Sequence, residues 1–110
     1  MSRVLFQAVH YPHPQHLDDL LGSMSRIMSA APDVDGLESI GAYADHAGGR
    51  IVAVSVWASP EALQAANAGL FASIADLPFD VWERQPRELL VLPEVELPAP
   101  ATGGPTTIVQ

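Results

Sequence analysis

A chain of 110 residues, 48% of them hydrophobic, holds enough apolar side chains for one core, and we expect a single domain. Its net charge of −8 and its five basic residues, all arginine, argue against partners such as nucleic acid or an anionic membrane. The absence of cysteine excludes disulfides, thiolate metal ligands and a cysteine nucleophile. No apolar run reaches the ~18 residues of a membrane span and no secretory leader is visible, so we expect a cytoplasmic protein.

The first part of the chain predicts a strand, a helix and a second strand. Residues 3–11 carry apolar side chains at both alternating sets of positions, which is typical of a strand covered on both faces. Leucine, methionine and isoleucine then recur at three- and four-residue spacing, which predicts a helix over residues 13–31. Pro32 ends this helix, and residues 37–44 predict the second strand.

The clearest local signal lies in residues 50–63, where a strand runs directly into a helix. The strand half is rich in β-branched side chains, and it follows a glycine-containing hairpin connection at residues 45–49. Ser59 is a good N-cap, and Pro60 suits the first helical position because its missing N–H has no partner to lose there. The pattern predicts that this second helix covers residues 60–76.

The end of the chain predicts a short structured segment and a tail. Residues 79–83 are apolar enough for one further helical turn, and residues 87–92 predict a fourth strand. Residues 97–110 are rich in proline, glycine and threonine, which favours an extended or disordered tail. We therefore expect the folded domain to comprise residues 1–96.

The predicted order of elements is β-α-β-β-α-β, the ferredoxin-like α+β arrangement of an antiparallel sheet with helices on one face. Two helices cover only one face of a four-stranded sheet, yet the strands are apolar on both faces. We therefore expect a homodimer, in which a second copy covers the other face.

Three short motifs resemble the antibiotic-biosynthesis-monooxygenase-like family of dimeric α+β barrels. The run Trp-Ala-Ser-Pro-Glu-Ala-Leu at residues 57–63 is similar to that family's strand ending in Trp, followed by Ser and a Glu-Ala-Leu-like helix start. Residues 14–21 resemble its first strand-to-helix passage, and residues 35–39 resemble its entry into the second strand. The resemblance covers about residues 3–96.

This resemblance implies a homodimer with a pocket between the sheet and the helices of each protomer. Some family members oxidise aromatic polyketide anthrones to quinones with oxygen and no cofactor, and others degrade haem. The quinone-forming members carry an Asn where this chain has Ala53 and a Tyr where it has Leu63. The haem-degrading members carry an Asn near Gln7 or Ala8 and a His near Ala75, so haem is the weakest of the implied ligands.

Three residues are the main candidates for the site. Trp57 is predicted to line the pocket and stack on a flat aromatic substrate, the alternative being a core aromatic whose N–H is satisfied locally. Asn67 lies on an apolar helix face and is predicted to stabilise an oxyanion, the alternative being a structural hydrogen bond. His10, at the end of a strand, is predicted to be the general base, the alternative being a surface histidine.

Further aromatic residues are predicted to extend the pocket, although each has a packing alternative. They are Tyr11, Tyr43, Phe71 and Trp82. His10, His13 and His16 recur every third residue, but prolines interrupt the backbone there, so the spacing does not predict a metal site. We expect neither a metal nor a cofactor.

The sequence thus favours a small dimeric barrel that binds a hydrophobic, polyketide-like aromatic molecule. The leading hypothesis is a cofactor-independent monooxygenase that forms quinones from anthrone-type substrates. Two alternatives remain open: a non-enzymatic ligand-binding or accessory barrel, and a polyketide cyclase or isomerase that needs no oxygen.

Overall fold

The computed structural model describes residues 2–98, and the structural statements below concern that range. The strands are β1 (Val4–His10), β2 (Leu37–Asp45), β3 (Arg50–Trp57) and β4 (Glu88–Pro93). The α-helices are α1 (Leu17–Ala30), α2 (Pro60–Ala68) and α3 (Phe79–Trp82). Single 3-10 turns occupy Pro14–His16, Ala31–Asp33 and Phe71–Ile74. No helix in the described range is long and apolar enough to cross a membrane.

The four strands form one antiparallel sheet in the order β2-β3-β1-β4. This order, with helices between the first and second strands and between the third and fourth, confirms the predicted ferredoxin-like α+β fold. The predicted tail begins at Leu97, which is exposed, and from residue 99 onward it lies outside the described residues.

Both long helices are shorter than predicted, for local reasons. Pro14 begins a 3-10 turn, and regular α-helix starts only at Leu17. In the second helix Gly69 takes a non-helical conformation at the C-cap, so α2 ends at Ala68 and a 3-10 turn follows. The predicted N-cap is present, since the Ser59 hydroxyl accepts a hydrogen bond from the Ala62 amide at 3.1 Å.

The core lies between one face of the sheet and the helices. Trp57 and Leu20 are its largest fully buried side chains. Val4, Ile27 and Leu63 pack into the same region. We call this sheet surface the helix face, and period-two alternation assigns Phe6, Ala8 and His10 of β1 to it.

The opposite surface of the sheet, here called the open face, has no helix over it in the described range. Alternation and strand register assign a mainly apolar set of side chains to this face. They are Leu5, Gln7, Val9, Tyr43, Val52, Val54, Val56, Leu90 and Leu92, of which Val9 is buried. Leu90 and Leu92 of β4 are each 47% exposed, and Tyr43 is 67% exposed. A contiguous apolar sheet surface of this kind is typical of an interaction site.

Gly36 fixes the approach of β2 to the second helix. Its φ of +81° is a conformation that L side chains rarely adopt, and a Cβ added there would lie 2.5 Å from the Ala62 Cβ. The Gly36 carbonyl also accepts a hydrogen bond from the Ala58 amide at 2.7 Å. The entry into β2 and the start of α2 are therefore held together at a position that only glycine fits.

A candidate site between the sheet and the helices

A cavity of about 320 Å³ lies between the helix face of the sheet, α1 and the segment from α2 to α3. Its lining is mostly apolar and includes Phe6, Met24, Ile27, Met28, Ile40, Phe71, Ile74 and Phe79. The polar side chains that line it are His10, Ser23, Ser55, Asn67 and Arg87. No aspartate or glutamate of the described residues lines this cavity. An apolar cavity with a few polar groups is the usual form of a small-molecule site.

His10 is held on the cavity wall by a buried carboxylate. Its Nδ1 lies 3.0 Å from Oε2 of Glu83, and the two residues are 7% and 8% exposed. The second carboxylate oxygen, Oε1, accepts a hydrogen bond from the Tyr11 amide at 2.9 Å. Because a carboxylate only accepts, Nδ1 of His10 carries the proton in this pair. Nε2 is then the ring nitrogen that is free to accept a proton.

A short pairing between two loops brings Glu83 to His10. Pro12 and Glu83 form an isolated antiparallel bridge. On either side of it, the His13 amide donates to the Trp82 carbonyl at 2.8 Å, and the Arg84 amide donates to the Tyr11 carbonyl at 2.9 Å. The end of α3 is thereby tied to the chain that leaves β1. Sequence reasoning missed Glu83, and its only signal was a lone carboxylate at the end of an apolar segment.

Phe79 and Arg87 complete this end of the cavity. The Phe79 ring lies 6.0 Å from the His10 ring, measured between centroids. The guanidinium carbon of Arg87 lies 5.1 Å from the centroid of the Phe79 ring, which is a cation–π distance. One imidazole, one aromatic ring and one guanidinium are therefore adjacent on the cavity wall.

Trp57 lies in the core and does not line the cavity. The residue is 0% exposed, and its indole Nε1 donates to the Ser55 hydroxyl at 2.8 Å. Its ring centroid is 6.1 Å from that of Phe71. The geometry matches the packing alternative for Trp57, while Ser55, which the indole orients, does line the cavity.

Asn67 lines the cavity, but it is exposed where the sequence predicted a buried helix face. The difference follows from the early end of α2, because Asn67 lies in the last turn of the helix, beside open space. Phe71 also lines the cavity and packs edge-on against Phe6 at 5.5 Å. His10, Asn67 and Phe71 are thus the predicted site residues that the structure brings together.

The other predicted aromatic residues lie away from the cavity lining. Tyr11 is half-buried, with the Arg84 guanidinium 5.5 Å from its ring centroid. Tyr43 points away from the helices on the open face. Trp82 is half-buried and packs edge-on against Phe79 at 5.3 Å. The roles predicted for them as pocket residues have no geometric support in this cavity.

The two positions at which the sequence departs from the motif pattern that it resembles have different surroundings. Ala53 lines the cavity and presents only a methyl group. Leu63 lies on the buried side of α2 and packs into the core. Residues 2–98 also contain no group of three or more His, Asp or Glu side chains placed to hold a metal ion. Among the described residues that line the cavity, His10 is the one whose side chain is commonly used as a general base.

No family model matches the sequence, and no curated protein sequence matches it either. Solved structures do match. The structure of Rv0793 from Mycobacterium tuberculosis has a TM-score of 0.76 at 19% identity, covering 89% of this chain and 100% of that chain. A conserved protein from Methanosarcina mazei Go1 has a TM-score of 0.72 at 14% identity, covering 83% and 91%.

A crystal structure described as an antibiotic biosynthesis monooxygenase has a TM-score of 0.71 at 16% identity, covering 84% of this chain and 99% of that chain. Likeness at these identities is evidence for the fold and leaves the reaction open. It agrees with the resemblance carried by the sequence motifs. The chain therefore has the ferredoxin-like α+β fold of the antibiotic biosynthesis monooxygenase-like structures.

Proposed function

We propose that the protein binds a flat, hydrophobic aromatic molecule in the cavity and oxidises it as a cofactor-independent monooxygenase, with His10 as the base. The observation that carries this proposal is the buried pair in which Glu83 holds Nδ1 of His10 at 3.0 Å. A general base needs a fixed orientation and a free nitrogen directed at its substrate. Pairing through Nδ1 leaves Nε2 for that task.

The cavity suits a fused-ring aromatic in size and lining. Its volume of about 320 Å³ falls at the lower end of the range for small-molecule sites. Phe6, Phe71 and Phe79 supply aromatic walls on which a planar ligand can stack. These rings take the stacking role that the sequence assigned to Trp57.

In the proposed reaction His10 removes a proton from the CH₂ group of an anthrone-type substrate. The C–H bond breaks, its electron pair delocalises onto the neighbouring carbonyl as an enolate, and Glu83 stabilises the imidazolium that forms. Oxygen then adds to the carbanion carbon and gives a peroxide. Loss of the second C–H proton with cleavage of the O–O bond leaves a quinone carbonyl and releases water. Oxygen itself accepts the electrons, so the reaction needs no cofactor.

Asn67 is the proposed partner of the enolate oxygen. Its amide lies at the edge of the cavity and can donate a hydrogen bond to developing negative charge. This role requires the substrate carbonyl to point toward the end of α2, while the reactive carbon faces His10.

The assay is oxygen uptake and quinone absorbance with an anthrone, in air and without added cofactor. We expect a rate above the uncatalysed background, lowered about 10²-fold or more in His10→Gln. His46→Gln is the matched control, since His46 is exposed in the hairpin between β2 and β3. A wild-type rate equal to background contradicts the oxygenase proposal.

A second candidate is a barrel that binds such a ligand without turning it over. It is favoured by Ala53 on the cavity wall and Leu63 in the core, because neither supplies the polar group found in the quinone-forming relatives. An aromatic ligand that raises the melting temperature but is recovered unchanged supports this candidate over the oxygenase.

The same proposal includes a homodimer formed through the open face. Its support is the uncovered apolar surface that includes Val54, Leu90 and Leu92. A second copy of the chain would present the same surface and complete a two-fold interface. We expect a dimer by sedimentation analysis and a monomer for Leu90→Glu. Val81→Glu, at an exposed position on α3, is the control and should remain dimeric.

A further inference from the structure

We infer that the ligand of this cavity is an aromatic carboxylate whose anionic group binds Arg87. The inference rests on the proposed binding of an aromatic molecule in the cavity and specifies its charge. The chain as a whole carries a net charge of −8, which disfavours anions in general. The cavity wall is a local exception to this negative charge, because Arg87 lines it and no aspartate or glutamate of the described residues does.

Arg87 differs from the other arginines in its surroundings. Arg3 pairs with two glutamates and Arg50 pairs with Asp45. Arg84 donates to two backbone carbonyls of the hairpin. Neither Arg26 nor Arg87 forms an ion pair with a carboxylate in residues 2–98, but of these two only Arg87 lines the cavity. Its guanidinium is thus available to an anion that enters with the ligand.

Arg87 and His10 lie at the same end of the β1–β4 pairing. The pairing ends with Val9 opposite Glu88; His10 follows Val9, and Arg87 immediately precedes Glu88. Both residues line the cavity, and the Phe79 ring lies next to both.

The Phe79 ring also contacts the guanidinium. Its centroid lies within cation–π distance of the guanidinium carbon, and a carboxylate can accept two parallel hydrogen bonds from the N–H fork of an arginine. A neighbouring recess shares Phe79 and Arg87 with the cavity, but Asp80 and Glu83 also line it, and their carboxylates disfavour an anion there. The ligand carboxylate would therefore meet Arg87 from the cavity side, where the exposed position of Arg87 lets the anion stay partly hydrated.

The test compares two ligands that differ in one group, anthracene-2-carboxylate and 2-(hydroxymethyl)anthracene, by fluorescence titration. For the wild-type protein we expect the carboxylate to bind about tenfold more tightly, as for a charge-assisted hydrogen-bonded pair. Arg87→Met should remove this preference and leave the affinity for the alcohol within about twofold. Arg26→Met, at an exposed position on α1 away from the cavity, should keep it.

Each outcome decides between the two proposals. Equal wild-type affinities, or a preference that survives in Arg87→Met, overturn the role of Arg87 and leave aromatic binding in the cavity intact. Failure of both ligands to bind the wild-type protein overturns both. Arg87→Gln repeats the comparison with a polar, uncharged side chain, so that the apolar character of Met cannot produce the result. Oxygen uptake is measured separately and does not enter this test.

Discussion

Substitution of Glu83 separates the structural role of the buried pair from its proposed chemical role. The two carboxylate oxygens accept from two donors, the part-buried Tyr11 amide at 2.9 Å and the buried Nδ1 of His10 at 3.0 Å. Alanine removes both acceptors. Glutamine keeps the shape of the side chain but offers one acceptor oxygen and one NH₂ donor. The two variants therefore disturb the same pair in different ways.

The expected magnitudes follow from these hydrogen bonds. A buried donor left without an acceptor costs about 1–3 kcal/mol and a part-buried one costs less, so Glu83→Ala should lower the free energy of unfolding by about 2–4 kcal/mol. That is a large fraction of the ~5–15 kcal/mol typical of a small domain. In Glu83→Gln the amide oxygen can keep the Tyr11 N–H, and the NH₂ can donate to Nδ1 of the other His10 tautomer. We expect a loss of only about 1 kcal/mol, because the Tyr11 N–H and Nδ1 of His10 both keep a hydrogen-bond partner.

The same tautomer change removes the proposed base. With its proton on Nε2, His10 presents a donor to the cavity, and oxygen uptake with an anthrone should fall about 10²-fold or more. Urea unfolding measures the stability of each variant, and the ¹⁵N chemical shifts of His10 report the tautomer. Glu88→Ala and Glu88→Gln, at an exposed position on β4, are the controls. Undiminished oxygen uptake in Glu83→Gln, or a stability of Glu83→Ala equal to that of Glu88→Ala, refutes this reasoning.

Three further predictions concern the scaffold. Trp57→Phe should lower the free energy of unfolding in urea by about 1–3 kcal/mol, because Trp57 is fully buried in the core. The affinity for a cavity ligand should stay within about twofold, because Trp57 does not line the cavity. A much larger change in affinity contradicts this prediction. Gly36→Ala should cost about 2–4 kcal/mol, because φ is +81° and its Cβ would lie 2.5 Å from a side-chain carbon of α2. Gly22→Ala, with open space around it in α1, should be neutral or stabilising by comparison. The hydrogen bond from the Gly48 amide lowers the pKa of Asp45 in the folded protein. The ionised Asp45 side chain therefore stabilises the fold at pH values above its pKa in the unfolded chain, and this contribution is lost as the pH falls through its lower pKa in the folded protein. Melting curves should therefore show Asp45→Asn less stable than wild type at about pH 7 and equal to it at about pH 2.

Much of the fold could be predicted because its signals are local. The residues of β3 and the cap at Ser59 lie next to one another in sequence, and the structure has both where the pattern indicated. A local signal for the earlier end of the second helix is also present in the sequence, at Gly69. Gly69 has a low helix propensity and is the first non-helical residue after α2. The apolar spacing that continues through Phe71 is carried by a 3-10 turn instead.

The site could be predicted only in part, because it depends on pairings between distant segments. Glu83 reaches His10 across 73 positions in sequence, through a bridge that no periodicity reveals. The distance between Trp57 and His10 has a simpler cause. Trp57 pairs with Val4, at the opposite end of β1 from His10, and six strand residues span about 20 Å. Once the antiparallel register is known, these two side chains cannot line one compact site.

The buried pair is better explained by orientation of His10 than by stability. Removing a carboxylate from water is costly, and a buried ion pair often contributes no more to stability than apolar side chains of similar volume. The surroundings of Glu83 offer such packing, since α3 is largely apolar and Phe79 already contacts the His10 ring. Apolar packing alone, however, would not determine whether Nδ1 or Nε2 of His10 carries the proton. The two carboxylate oxygens of Glu83, one bonded to the Tyr11 amide and one to Nδ1, fix the ring position and leave Nε2 as the nitrogen that carries no proton.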